Sequence, residues 1–176
     1  SYDKVIIAHF PNQNKITELS FMYFFQFMGY CRYYSHTSQN SIAVGLETSL
    51  HLYPVDTGLC SCILKIPAFQ LLSGEETTAG TACIETFLAQ HFIRNGYALS
   101  YWSSGNQAEV PFLLSKNSHF IAIDYRTTPH QKCRNLMQLN KSSLSPAPTQ
   151  MYLISAEDFR QKEAYQIVPL YAVFCI

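Results

Sequence analysis

Four charged residues have the types and the spacing to meet at one site: Glu85, Glu109, Asp124 and Arg126. Asp124 and Arg126 stand two apart in a segment that reads as a strand, so they share a face of it. Converging carboxylates can hold Mg²⁺, and a nearby cation can stabilise charge that develops on an attacked phosphate. This is the chemistry of a metal-dependent nuclease. From the spacing alone, an ion pair between Asp124 and Arg126 near a strand end is the favoured interpretation.

The elements that must position these residues are read from the hydrophobic pattern of residues 73–176. Apolar residues on one helical face predict a helix over 79–94, which Asn95 and Gly96 end. Short apolar runs between turn residues predict five strands and a second helix. The strands are expected at 97–102, 108–114, 119–126, 150–154 and 169–176, and the helix at 130–140. The order α-β-β-β-α-β predicts an α/β fold with a mixed sheet and flanking helices.

The first 72 residues have a different pattern. Residues 15–29 are apolar and end at a glycine, which predicts a helix, and two short strands are expected at 30–36 and 50–55. Asp56 is a plausible cap for a short helix over 57–64. We therefore expect a small winged-helix-like segment over residues 1–72 and a second domain over 73–176.

Charge and composition narrow the function classes. The chain has 12 Lys+Arg and 12 Asp+Glu, so its net charge is zero. A neutral chain does not favour strong non-specific binding to nucleic acid, although a local cluster of Arg126, Lys132 and Arg134 offers a nucleic-acid contact. No apolar stretch is long enough for a membrane helix and no signal segment opens the chain, so we expect a cytoplasmic protein. Because the chain begins at Ser1 rather than Met, we expect a piece of a longer protein.

The six cysteines are scattered and form no paired CxxC motif, so neither a zinc site nor a disulfide framework is predicted. Cys60 and Cys62 are the closest pair, and we expect both to be small buried hydrophobic residues in a reducing compartment.

A family resemblance runs through residues 80–126, GTACIETFLAQHFIRNGYALSYWSSGNQAEVPFLLSKNSHFIAIDYR. A Glu-containing helix, Tyr-Trp, an Ala-Glu-Val strand and an acidic-x-basic strand follow one another there. This order resembles the C-terminal domain of unknown function of bacterial and archaeal AAA-type ATPases. LHLYPVDTGLCSCIL at 50–64 and IVPLYAVFCI at 167–176 are similar to other segments of the same family. The resemblance implies a prokaryotic ATPase-family protein.

The C-terminal part of that family resembles the restriction-endonuclease fold, with an Asp on one strand and Glu-x-Lys on the next. In this chain the Asp position is Pro111, and the triplet is Asp124-Tyr125-Arg126. Pro111 cannot bind a metal, and Arg126 cannot readily release a proton as Lys can. Proline also removes a ladder N–H, which predicts a bulge or an unpaired edge at that strand. The resemblance thus implies a degenerate nuclease motif, with Asp124 and Arg126 as vestigial catalytic candidates.

Three functions follow as alternatives. The first is a non-catalytic interaction or regulatory domain that docks an upstream ATPase module, a partner protein or another subunit. The second is a nucleic-acid-binding module, which would use the winged-helix-like segment and the cluster Arg126, Lys132 and Arg134. The third is a nuclease, in which Mg²⁺ would be held by Glu85, Glu109 and Asp124. No GxxxxGK[ST] phosphate loop occurs, so no ATP hydrolysis is expected from this chain alone.

Overall fold

The computed structural model describes residues 31–37, 50–72, 78–104, 107–126 and 133–176. The chain divides into two units, one of residues 1–35 with 46–90 and one of residues 36–45 with 91–176. This division falls between residues 90 and 91, and the domain boundary expected after residue 72 stays a prediction. The helix expected over 15–29 lies outside the described residues.

The described part of the chain starts with two antiparallel strands, β1 (Cys31–Thr37), of which residues 31–35 belong to the first unit, and β2 (Leu50–Pro54). Two short helices follow, α1 (Thr57–Ile63) and α2 (Ala68–Leu72). Asp56 caps α1, because its Oδ1 accepts a hydrogen bond of 2.7 Å from the backbone N–H of Leu59. The two predicted strands and the predicted cap are confirmed.

Helix α3 (Thr78–Arg94) ends where the sequence predicts. Gly96 has a φ of 80°, a left-handed conformation that glycine adopts without a steric penalty. The N–H groups of Gly96 and Tyr97 donate to the carbonyls of Ile93 and Phe92 at 2.9 and 3.1 Å. The rings of Phe92 and Tyr97 meet at a centroid distance of 6.4 Å. These bonds and this apolar contact form a Schellman motif, which satisfies carbonyls at the end of the helix.

The second unit contains a mixed sheet in which six strands lie in the order β3-β4-β5-β6-β8-β7. The strands are β3 (Ala98–Ser103), β4 (Glu109–Lys116), β5 (His119–Tyr125), β6 (Gln150–Ser155), β7 (Arg160–Gln161) and β8 (Gln166–Pro169). Strands β3, β4 and β5 form an antiparallel meander, whereas β6 is parallel to both β5 and β8. Helix α4 (Arg134–Lys141) connects β5 to β6. The predicted α/β class and mixed sheet are confirmed.

Side chains from the strands form a core on the side of the sheet that α4 covers. Leu136 and Leu139 of α4 are buried there. Their cluster includes residues from strands β3, β4, β5, β6 and β8, among them Trp102, Val110, Leu113, Ala122, Leu153 and Ile167. On the other side, Phe112 meets Phe92 of α3 with ring centroids 5.7 Å apart. Because both faces carry buried side chains, the central strands have little polar-apolar alternation.

Strand β4 has a bulge at Pro111. Trp102 pairs with Val110 and Ser100 pairs with Leu113, so β4 has one more residue than β3 between these two pairs. The extra residue is accommodated where proline lacks a backbone N–H. The bulge also shifts the alternation, which lets both Val110 and Leu113 join the cluster beneath α4. Of the two expected alternatives, a bulge or an unpaired edge, the structure has the bulge.

The strand expected over 169–176 is wrong. The strand β8 ends at Pro169, and Leu170–Cys175 form a 3₁₀ helix. An apolar run of this length does not by itself distinguish strand from helix. Pro169 pairs with Ser155, the last residue of β6, so β6 offers no partner for a longer β8. The three-residue repeat of the 3₁₀ helix then buries Ala172 and Val173 and exposes the aromatic residues on either side of them.

Candidate functional site

Asp124 is the candidate acid that the sequence places at the centre of the site. It lies near the carboxyl end of β5, where it pairs with Leu153 of the parallel strand β6. Its relative exposure is 4%, which makes it one of the few buried charged residues in the described part of the chain. A buried carboxylate needs hydrogen-bond donors to offset the loss of water.

Both oxygens of Asp124 are engaged by its own unit. Oδ1 accepts from the backbone N–H of Tyr125 at 2.9 Å. Oδ2 accepts from the thiol of Cys133 at 3.0 Å and from Nδ2 of Asn135 at 3.1 Å. Nη2 of Arg126 lies 3.5 Å from the same oxygen, so the favoured ion pair exists and is the loosest of the four contacts. This carboxylate is held by its neighbours rather than presented to solvent.

The electrostatics of this group follow from its burial. Burial raises the pKa of Asp124, and the Cys133 hydrogen bond and the Arg126 charge oppose that rise. Burial also raises the pKa of Cys133 to about 12, and the negative charge of Asp124 adds to the effect. The thiol therefore keeps its proton at neutral pH and acts as a hydrogen-bond donor, which is not the state of a nucleophilic cysteine.

Helix α4 delivers the two donors that sequence reasoning missed. Cys133 is the N-cap residue of α4, it is fully buried, and its backbone N–H lies 3.5 Å from the hydroxyl of Tyr165. Asn135 follows in the first turn, while Leu136 anchors the helix in the core. A helix was predicted here, but neither residue was singled out. The available signal was a Cys and an Asn, both hydrogen-bond donors, flanking the start of a helix that follows the strand of Asp124.

Arg126 has a mixed environment just beyond β5. Its backbone N–H donates to the carbonyl of Ile154 at 2.9 Å, and its side chain is 30% exposed. Its Nε is buried and has no hydrogen-bond partner, a feature it shares in the described part of the chain with Nε1 of Trp102. The guanidinium thus turns one nitrogen toward Asp124 and leaves another unpaired.

The three predicted metal ligands lie on three different elements, Glu85 on α3, Glu109 on β4 and Asp124 on β5. Glu85 belongs to the first unit, whereas Glu109 and Asp124 belong to the second unit. Val110 joins the cluster beneath α4, so the pleat directs its neighbour Glu109 toward the opposite face. Among the residues that the structure describes, no group of three His, Cys, Asp or Glu could hold a metal ion. The described residues therefore give no support to a Mg²⁺ site made of Glu85, Glu109 and Asp124.

The predicted basic cluster is described only in part. Arg134 is the first residue of α4 and is exposed. Lys132 lies outside the described residues, and Arg126 is beside Asp124. A nucleic-acid contact by these three residues stays a prediction.

Cys60 and Cys62 differ in environment. Cys60 is fully buried, as expected, but Cys62 is exposed, so the expectation of burial is wrong for Cys62. The two lie two residues apart on α1, and helical neighbours at that spacing face different directions.

No described helix is long and apolar enough to cross a membrane.

The fold and site together define a class: an α/β domain with a mixed sheet and a buried, internally bonded acid at a parallel strand end. Residues 81–173, more than half of the chain, match the family described as a domain of unknown function, DUF4143. The chain belongs to this family. No curated protein and no solved structure matches it.

Proposed function

We propose that this chain is a non-catalytic, degenerate nuclease-like domain that docks a partner protein. The partner expected from the family resemblance is the ATPase module of a prokaryotic, cytoplasmic ATPase-family protein. The observation that carries the proposal is the state of Asp124, whose two oxygens accept three hydrogen bonds and contact Arg126 within its own unit. A metal ion would have to displace these donors.

The strand next to Asp124 also argues against catalysis. The resemblance assigns the second metal-binding carboxylate to Pro111, which has no ligand atom in its side chain. Catalysis of phosphodiester cleavage by Mg²⁺ requires oxygen ligands that hold the ion and leave positions open for substrate. With one ligand absent and the other engaged by Cys133 and Asn135, the site has a structural role in this proposal.

The docking surface that we favour is the terminal 3₁₀ helix. Tyr171 and Phe174 are three residues apart on it, and each is 73% exposed. Exposed aromatic side chains bring large contact area at low entropic cost, and Tyr and Phe are enriched at protein interfaces. Phe159, which follows β6, is exposed as well. These residues give the second unit apolar surface for a partner protein.

A nuclease assay tests the absence of catalysis. Wild-type protein and an Asp124→Ala variant are incubated with supercoiled DNA and Mn²⁺, and the thermal midpoint is measured with and without the metal. We expect the same background cleavage from both proteins and no metal-dependent shift of the midpoint. Metal-dependent cleavage by the wild type that Asp124→Ala abolishes would overturn the proposal.

Affinity capture tests the docking role. The full chain and a Tyr171→Ser/Phe174→Ser variant are used as baits, and captured proteins are identified by mass spectrometry. We expect a protein with a GxxxxGK[ST] phosphate loop among those that the wild type captures, and its loss from the variant. The surface substitutions should leave the thermal midpoint nearly unchanged, because neither side chain is buried. Capture without any such ATPase contradicts the proposed partner, and capture unaffected by the variant contradicts the proposed surface.

A further inference from the structure

Two thiols meet inside the first unit. Cys60 is the buried residue of α1, and Cys83 lies on the buried side of α3. The buried thiol of Cys83 lies close enough to Cys60 that the Cys60 thiol contributes to raising its pKa. Sγ of Cys60 also lies 3.5 Å from Oγ1 of Thr86. These contacts bring one side chain of α1 against two side chains of α3.

The local structure explains why these sulfur atoms meet. Cys83 and Thr86 are three residues apart on α3, so they occupy the same face of the helix. The hydroxyl of Thr86 donates to the carbonyl of Ala82 at 2.8 Å, which fixes its oxygen toward that face. The cap by Asp56 fixes the first turn of α1 and therefore the side of α1 on which Cys60 lies. Neither cysteine forms a disulfide in the structure.

We propose that Cys60 and Cys83 form a redox-modification site, at which an intramolecular disulfide joins α1 to α3 and is cleaved again by reductant. The oxidant is a low-molecular-weight disulfide of the glutathione class. One protein thiolate attacks a sulfur atom of that disulfide and expels one small thiolate, which leaves a mixed disulfide. The second protein thiolate then displaces the other small thiolate. Two protein thiols are oxidised, one small disulfide is reduced to two thiols, and both protons pass to the released thiolates.

The burial of the two thiols makes this reaction depend on a movement of α1. Burial raises the pKa of Cys83 to about 12, and the neighbouring thiol of Cys60 adds to the rise. Protonated, buried thiols react slowly, so oxidation requires α1 to move away from α3 and admit the oxidant. Helix α1 has seven residues, of which only Cys60 is buried, so few apolar contacts resist this movement. The exposed Cys62 on the same helix is not subject to this requirement.

The bond would act on the stability of the first unit. Linking Cys60 to Cys83 closes a loop in the unfolded chain, which lowers its entropy and stabilises the folded state. The oxidised protein is then more stable than the reduced protein, and α1 no longer moves freely from α3. This regulation is independent of the state of Asp124 and does not rest on the docking role.

The test uses the full chain with Cys62→Ser, which removes the accessible neighbour. The protein is incubated with oxidised glutathione, free thiols are alkylated, and tryptic peptides are mapped by mass spectrometry. We expect a peptide pair joined through Cys60 and Cys83, and a thermal midpoint about 5–10 °C higher than that of the reduced protein. Addition of dithiothreitol should reverse both changes.

Matched variants distinguish this pair from other thiols. Cys83→Ser and Cys60→Ser should each abolish the linked peptide and the rise in midpoint, and Cys83→Ala and Cys60→Ala replace them if serine prevents folding. Cys175→Ser, at an exposed cysteine, should leave both results unchanged. The proposal is overturned if Cys60 and Cys83 remain alkylatable after prolonged oxidation, or if either one links to a different cysteine.

Discussion

At the scale of single residues, the chemistry of Asp124 is decided by what surrounds it rather than by its place in a motif. The acid-x-basic pattern made it a catalytic candidate, and the sequence also favoured an ion pair with Arg126. The structure adds Cys133 and Asn135, which bind the same oxygen from a different element. A thiol that remains protonated can donate to a buried carboxylate, and its weak hydrogen bond offsets part of the lost hydration.

The raised pKa of Asp124 predicts how stability changes with pH. When the folded-state pKa exceeds the unfolded value, the group stabilises the fold fully below the unfolded pKa, which is about 3.9 for Asp. That contribution is lost as pH rises through the folded pKa. An asparagine side chain does not titrate, so the Asp124→Asn variant does not lose this contribution. The thermal midpoint of the variant should therefore rise relative to that of the wild type from pH 4 to pH 7. Thermal unfolding at a series of pH values measures this difference, and a constant or falling difference would contradict the cause assigned to the shift.

Removal of the thiol donor tests the second contact. Cys133→Ala deletes the hydrogen bond to Oδ2 of Asp124 and leaves a small void, so we expect a loss of about 1–3 kcal/mol in the free energy of unfolding. Cys133→Ser keeps a donor at nearly the same place and should lose less. Urea unfolding of both variants provides the comparison, with Cys175→Ala as the exposed control. Equal losses for alanine and serine would show that packing, not the hydrogen bond, is what Cys133 contributes.

At the scale of elements, cap and turn residues in the sequence predicted where most helices and strands begin and end. The predictions failed where the conformation depends on a neighbouring strand. The cap at Asp56 and the end of α3 at Gly96 depend on nearby atoms, and both were predicted from cap residues in the sequence. The 3₁₀ helix at the C-terminus depends on where β6 ends, which the apolar run does not encode. The side of β4 that carries Glu109 depends on the bulge at Pro111 and was likewise not decided by simple alternation.

The C-terminal end of α3 predicts how substitutions of Gly96 change the stability of the protein. A Cβ at this position would meet only the end of Lys116 at 3.8 Å, so space is available and the backbone conformation sets the cost. At a φ of 80°, Gly96→Ala should lower the free energy of unfolding by about 1–2 kcal/mol, whereas Gly96→Asn should lower it less because Asn tolerates this region. Chemical denaturation of the two variants measures the order. An alanine variant as stable as the wild type would contradict the role of the left-handed conformation.

At the scale of the whole molecule, the balance of charge argues about nucleic-acid binding more directly than any motif does. The chain carries 12 basic and 12 acidic side chains, so its formal net charge is zero. Affinity for DNA from phosphate neutralisation grows with the number of cations that contact the backbone. Arg126, one of the three predicted contacts, has Asp124 as an ionic partner, which reduces the charge that it can offer to phosphate. The fold class followed from the order of elements, but this competition for Arg126 depends on the tertiary structure.

These charges predict little affinity for duplex DNA. We expect no mobility shift with micromolar protein at about 50 mM salt, a condition under which a protein with several phosphate contacts binds strongly. The Arg134→Glu variant, altered at an exposed residue, should behave like the wild type because no interface depends on it. Lys116→Glu is unsuitable as a control, since Lys116 Nζ donates to the carbonyl of Asn95 at 2.6 Å and supports the end of α3. A shift that weakens steeply with salt and disappears in Arg134→Glu would instead assign the start of α4 to nucleic-acid binding, because losing a cation that contacts phosphate lowers both the affinity and its dependence on salt.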